Sequence, residues 1–317
     1  MADLQKLFEE FNDKITLTKS KSDSLKTSRN SLRSDIKKWF SDKNKKQPKF
    51  CWQGSFAMKT VENPINGKEY DLDDGVYIQG YEDKELDEWP VPSTVHIWVK
   101  DAVKDRTKQD VINKDTCVRV PYAAGYHIDL PIYICKDDVA YLAHKSKGWT
   151  ESDPKAFKDW FVGKVNSDEY GEQLRSVVKY LKAWRDYKNI PLKGIEITIL
   201  AVNSFDKYEN RDDKSLRNTV EDIIKALEDE FKCVKPVVPG EDLFEDASET
   251  KKNSIIEGLK TLKSNLDKAI GEADEKKASE YIRKSFGERF PLGKESTKSS
   301  FATSTRPGVL KHDGRSA

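Results

Sequence analysis

The 317-residue chain is 36% hydrophobic and 35% charged, enough apolar material for two ordinary domains or for one domain with a large helical annex. Its 56 basic and 55 acidic side chains give a net charge of +1, so charge alone nominates neither nucleic acid nor a membrane nor an acidic substrate as partner. No run of about twenty apolar residues is available to span a bilayer, and the N-terminus MADLQKLFEEFNDK carries acids where a secretion signal needs a basic then apolar order; a cytoplasmic protein is expected.

Residues 2 to about 44 read as two helices. The second carries Leu25, Leu32, Ile36, Trp39 and Phe40 at near-helical spacing among many Lys and Ser, an amphipathic helix laid against a core. From about 48 to 136 short β-rich runs alternate with turn residues: KFCW, KEYDLDDGVYI, TCVRVPY and YHIDLPIYI. One helix at about 93 to 107 interrupts them, with Val95, Trp98, Val99 and Ala102 on one face. From about 153 to 288 the pattern is helical almost throughout. Ser152-Asp153-Pro154 marks its start, since Asp accepts hydrogen bonds from first-turn amides and Pro fits the first helical position. Residues beyond about 291 are rich in Ser, Thr, Lys and Gly and read as a flexible tail. The four cysteines, Cys51, Cys117, Cys135 and Cys233, form no CxxC pair, which argues against a zinc knuckle and a disulfide framework.

The segment KEYDLDDGVYI places three carboxylates in four residues of a strand, where Asp is disfavoured and neighbouring anions repel. Side chains alternate along a strand, so Asp71 and Asp73 share one face while Leu72 and Asp74 share the other. A hard divalent cation, Mg²⁺ or Mn²⁺, would neutralise the converging pair. In YHIDLPIYI the residues Ile128, Leu130, Ile132 and Ile134 form a core face, leaving Asp129 opposite with His127 and Tyr133 as a candidate third carboxylate. Upstream, Gly54-Ser55 follows a strand-like run; the glycine permits close backbone approach, and the hydroxyl with the turn amides suits a phosphate oxygen.

Two bland readings of the acidic strand compete. An EF-hand frame puts Asp71, Asp73 and Glu82 at the right positions, but Gly75 is fifth where the sixth must be glycine, and Val76-Tyr77-Ile78 continues a strand. A solvated edge strand would leave Asp129 and Gly54-Ser55 as coincidences. For Asp74, facing away from its neighbours, capping of the turn at Gly75 or pairing with a lysine is the preferred role. For His127 a structural, hydrogen-bonded role is preferred over substrate contact.

Gly-Ser, then Asp-x-Asp, then a third strand Asp is a pattern that resembles the polymerase β-like nucleotidyltransferases. The ordered stretches GSFAMKTVENPINGKEYDLDDGVYI, YHIDLPIYI, WTESDPKAFKDW and VVKYLKAWRD narrow the resemblance to the cGAS/DncV-like nucleotidyltransferases of bacterial anti-phage (CBASS) signalling. The resemblance implies an α+β fold: a nucleotidyltransferase core with a mixed sheet and N-terminal bracing helices over 1–150, a helical domain over 151–290, a tail over 291–317, and an active site in the cleft between.

It further implies template-independent joining of ATP, with GTP or another NTP, into a cyclic di- or trinucleotide with release of pyrophosphate. Two Mg²⁺ ions would be held by Asp71, Asp73 and Asp129, with Asp129 also placed to act as base. Gly54 and Ser55 would meet the donor phosphate, Lys179 or its competitor Lys182 the triphosphate, and Thr198 the donor nucleotide. The product alone would address a downstream effector. The tail would offer Ala317 to a ubiquitin-transfer-like conjugating enzyme, against an ordinary frayed terminus. No zinc-bearing His and Cys insertion and no one-signed basic stripe occurs, so no DNA activator is expected. Alternatives are a linear oligoadenylate synthase or tailing enzyme with the same acids, and a nucleotide-binding regulator that has lost catalysis.

Overall fold

The computed structural model describes residues 2–65 and 67–295. In chain order these form α1 (Gln5–Ile15), α2 (Lys19–Asp42), β1 (Lys49–Gln53), the single turn α3 (Gly54–Ala57), β2 (Tyr70–Tyr77), α4 (Pro92–Val103), β3 (Ile112–Asn113), β4 (Cys117–Tyr122), β5 (Tyr126–Lys136), β6 (Val139–His144) and β7 (Gly148–Glu151). Helices α5 (Pro154–Val165), α6 (Gly171–Lys188), α7 (Gly194–Asn203), α8 (Asp212–Asp229), α9 (Glu249–Gly271) and α10 (Glu275–Phe286) follow. None of the described helices is long and apolar enough to cross a membrane.

The strands make one mixed sheet in the order β1-β2-β5-β4-β3, with β6 and β7 continuing from the far half of β5. Strands β2 and β5 run parallel, with Asp71 opposite His127 and Asp73 opposite Asp129; the other pairs are antiparallel. One face of the sheet packs Leu72, Val76, Ile128, Leu130, Ile132 and Ile134 with Leu25, Leu32, Ile36 and Phe40 of α2 and with Val95, Val99 and Val103 of α4. The other face, carrying the aspartates, looks toward the helical lobe. A second core fills that lobe, with Trp184 and Tyr180 of α6 among its largest fully buried side chains. The start of the lobe is capped as its sequence requires: Asp153 Oδ1 accepts from the Ala156 amide at 2.8 Å, and Pro154 opens α5.

Three features depart from the expectation. Helix α1 does not brace the sheet, because its aromatic stripe belongs to the helical lobe. Phe8 meets Tyr180 and Phe290 edge-on at 5.2 and 5.0 Å, and Phe11 meets Phe286 at 5.0 Å. Only α2 of the two N-terminal helices covers the sheet. The short β3 and the hairpin of β6 and β7 are additions to the four expected runs; the residues β6 buries fully are the alanines Ala140 and Ala143, too small to give a strong hydrophobic signal. Packing also continues past 291, where the Gly293 amide donates to Ser279 Oγ at 2.9 Å. Residues 296–317, including Ala317, lie outside the described residues.

Candidate active site

The turn from β1 into α3 brings Gly54 against β2. Its φ is +66°, and an ideal Cβ there would sit on Asp73 Oδ2 and 3.0 Å from Asp73 Cγ. Only a residue without a side chain lets the Gly-Ser turn and the acidic strand approach this closely. Ser55 follows at the cleft wall. Beneath, Gln53 Nε2 donates to the buried Tyr133 hydroxyl at 2.9 Å, tying β1 to β5 under the site.

Asp71, Asp73 and Asp129 lie on the cleft face as strand alternation requires. Among the described residues Asp73 has no hydrogen-bond or ion-pair partner for its carboxylate, and burial pushes its pKa well above the usual range, with Asp71 and Asp129 adding to the shift and Arg119 opposing it. Asp71 has His127 Nε2 at 3.9 Å. That nitrogen is buried and without a hydrogen-bond partner among the described residues, while His127 Nδ1 meets Glu69 Oε2 at 2.8 Å. The third aspartate is engaged: Arg119 Nε and an Arg119 terminal nitrogen donate to Asp129 Oδ1 and Oδ2 at 2.7 and 2.6 Å.

Asp74 points to the opposite face and is fully buried. Its partner is neither the turn at Gly75 nor a lysine but Arg33 of α2, whose guanidinium takes both carboxylate oxygens, with Nε to Oδ2 at 2.7 Å. A planar fork satisfies both oxygens of a buried carboxylate at once, which a single ammonium cannot.

Two cavities open between the lobes and share Ser55, Lys182 and Gly194. The first, about 340 Å³, runs from Gln53, Gly54 and Asp73 to an apolar wall of Met58, Phe157, Ile195 and Val237, with Lys235 at its side. The second, about 260 Å³, is polar and contains Asp71, Glu69, Lys68, Arg185 and Glu62. Asp73 thus lines one chamber and Asp71 the other, with Lys182 at their junction.

Lys182 Nζ donates to Thr60 O and Thr60 Oγ1 at 3.1 and 3.0 Å. Burial brings its pKa down to about 8, partly offset by Glu62. Glu62, in turn, is pushed up to about 8 by burial and by Asp186, against Lys182, Arg185 and Arg289.

The structure therefore brings together Gly54, Ser55, Asp71, Asp73, Asp129 and Lys182. It does not bring in the other two expected residues. Lys179 faces α1 and donates to Thr16 Oγ1 at 2.8 Å, and it borders neither chamber. Thr198 is fully buried, its hydroxyl donating to Gly194 O at 2.8 Å one helical turn earlier. Among the lining residues that escaped sequence reasoning are Lys235, Phe157, Arg185 and Glu62. Arg119 escaped it too, although a charged side chain in the apolar run CVRVPY was a usable signal.

A family model described as cyclic GMP-AMP synthase DncV-like, nucleotidyltransferase domain, matches residues 48–133, and one described as cyclic GMP-AMP synthase, C-terminal domain, matches 171–298. A cyclic GMP-AMP synthase from Escherichia coli is 26% identical over 307 residues, covering 77% of this chain and 68% of the relative. One from Escherichia albertii is 27% identical over 179 residues, covering 52% of this chain and 39% of the relative. The first of these matches spans about two thirds of its relative, the second well under half. The crystal structure of Vibrio cholerae DncV cyclic AMP-GMP synthase with a linear pppA(3′,5′)pG intermediate superposes with a TM-score of 0.76 at 21% identity, covering 91% of this chain and 97% of that one. The same enzyme with GTP and 5MTHFGLU2 gives 0.77 at 20% identity, covering 92% and 99%.

A mixed sheet carrying Asp-x-Asp and a Gly-Ser turn, faced by a helical lobe, defines a nucleotidyltransferase. Within that class the chain belongs to the DncV-like family.

Proposed function

We propose that this nucleotidyltransferase joins ATP with GTP or a second NTP into a cyclic dinucleotide, releasing pyrophosphate, as a signal in anti-phage defence. The observation that carries the reading is the meeting of Ser55, Lys182 and the Asp71–Asp73 pair where two nucleotide-sized chambers join. Relatives named as cyclic GMP-AMP synthases support the product class.

In this reading the Ser55 hydroxyl donates to a phosphate oxygen of the donor nucleotide, and Gly54 leaves the space that brings this phosphate against Asp73. Lys182 supplies a point charge to the triphosphate from beneath both chambers. Met58, Phe157, Ile195 and Val237 offer a base an apolar wall. All three aspartates present hard oxygen donors on one face, and among the described residues no lysine or arginine is bonded to Asp71 or Asp73, so the residues fit Mg²⁺ or Mn²⁺. When bound there, the ions would neutralise the triphosphate and lower the pKa of the attacking ribose hydroxyl. Burial raises the pKa of Asp73, and Asp71 and Asp129 add to the shift, so a cation bound there would favour its ionised form.

The test is incubation with all four NTPs and Mg²⁺, then phosphatase treatment and mass spectrometry. A phosphatase-resistant product of two nucleotides is expected. A phosphatase-sensitive linear chain would replace the reading with oligonucleotide synthesis or tailing, and absence of any pyrophosphate release would replace it with a nucleotide-binding regulator.

A further inference from the structure

Across the cleft face of the sheet, Asp73, Asp129 and Arg119 stand at one level on three adjacent strands. Asp129 has Asp73 as its register partner on β2 and Arg119 as its partner on β4. The Arg119 fork closes on Asp129 directly across the antiparallel pair, using both carboxylate oxygens. Among the described residues no three His, Cys, Asp or Glu side chains are grouped so that they could hold a metal ion, and Asp129 has both its oxygens taken by Arg119. Of the three neighbouring carboxylates, Asp129 is the one that an arginine already engages.

We infer that Arg119 is a positioning residue that withholds Asp129 from the metal-binding set until an anionic nucleotide arrives. The inference rests on the nucleotidyl-transfer reading. Its chemistry is competition between cations. A divalent ion approaching Asp129 meets an oxygen pair already donated to, beside a fixed positive charge, and like charges at contact distance oppose each other strongly where water is scarce.

The same guanidinium has a reason to leave. Its fork geometry fits a phosphate as well as a carboxylate, so exchanging one for the other keeps two charge-assisted hydrogen bonds. It also has room, because the Arg119 side chain keeps 23% of its surface open while Asp129 keeps 11%. In the nucleotide-free protein Arg119 sets a fixed positive charge beside Asp129, the register partner of Asp73. It therefore keeps the acidic face tolerable until metal and nucleotide enter together.

The experiment titrates full-length, nucleotide-free protein with Mn²⁺ and follows free ion by electron paramagnetic resonance. Arg119→Gln should bind Mn²⁺ about tenfold more tightly than wild type, the order expected from removing one charge at contact distance. Arg119→Lys, which cannot fork, should fall between. Adding Asp129→Asn to Arg119→Gln should erase the gain, a result that a merely structural role for Arg119 would not produce.

Unchanged or weaker Mn²⁺ binding by a folded Arg119→Gln overturns the inference. Should that variant not fold, unchanged or weaker binding by Arg119→Lys overturns it in the same way. Either negative result accompanied by wild-type pyrophosphate release leaves the nucleotidyl-transfer reading standing, whereas absence of release overturns both.

Discussion

Replacing Gly54 by alanine probes the closest approach in the site. Two costs follow from the structure. The φ of +66° is a left-handed conformation, which costs a residue bearing a Cβ about 1–2 kcal/mol. The new methyl also falls on Asp73 Oδ2, so the carboxylate must retreat by about 1 Å to restore van der Waals contact. A shift of that size in a reacting group costs on the order of 10²-fold in rate.

Gly148 supplies the control. Its φ is +82°, but a Cβ there meets open space, so Gly148→Ala carries the backbone strain without the collision. Thermal unfolding should drop by a few degrees in both variants. Pyrophosphate release should fall about a hundredfold in Gly54→Ala and stay near wild type in Gly148→Ala. Equal activity in the two would refute the claim that the turn's close approach places Asp73.

Asp71→Asn with Asp73→Asn should abolish pyrophosphate release, while the melting temperature without metal holds or rises because carboxylate repulsion is relieved; a folded, active double variant would end the assignment. Lys182→Met should raise the KM for nucleotide severalfold or more and Lys179→Met should not, and a larger effect at Lys179 would reverse the choice between them. Because burial lowers the Lys182 pKa to about 8, its ammonium is lost as pH rises through that value, so nucleotide KM should climb through that range in wild type, and more steeply than in Lys182→Met, where Glu62 of the same chamber still titrates. Asp74→Ala leaves the Arg33 guanidinium, on a side chain 26% exposed, without its carboxylate and should cost about 1–3 kcal/mol in chemical denaturation; a loss under about 0.5 kcal/mol would show the pair to be dispensable.

The sequence displayed the acidic strand clearly because a period of two is a local property: Asp71, Asp73 and Asp129 could be assigned to one face from their neighbours alone. Partners that meet across the fold were harder to see. Arg33 lies 41 residues from Asp74, and nothing local marks it as the group that would be buried with that carboxylate. Lys179 and Lys182 are close neighbours on one helix, so both satisfied the same sequence argument. Separating them required knowing that Thr16 meets one and Thr60 the other. Helix α1 was found as a helix, but its allegiance depended on Phe286 and Phe290 near the opposite end of the chain. Periodicity says which face is apolar and is silent on which core receives it.

Because α1 packs in the helical lobe and α2 on the sheet, the backbone passes between lobes at Thr16–Thr18 as well as at Ser152–Asp153. A swing of one lobe against the other about these two links would also have to carry the stretch after the Gly-Ser turn, whose Met58 lies in the helical-lobe core and whose Asn63 amide donates to Ile15 O at 2.6 Å. Such a swing would be felt first at the side chains bridging the gap, Arg175 on Met58 O at 3.1 Å and Lys182 on Thr60. Both bridges land in the short stretch that leaves the Gly-Ser turn. Any opening of the cleft would thus pull on the segment that positions Ser55.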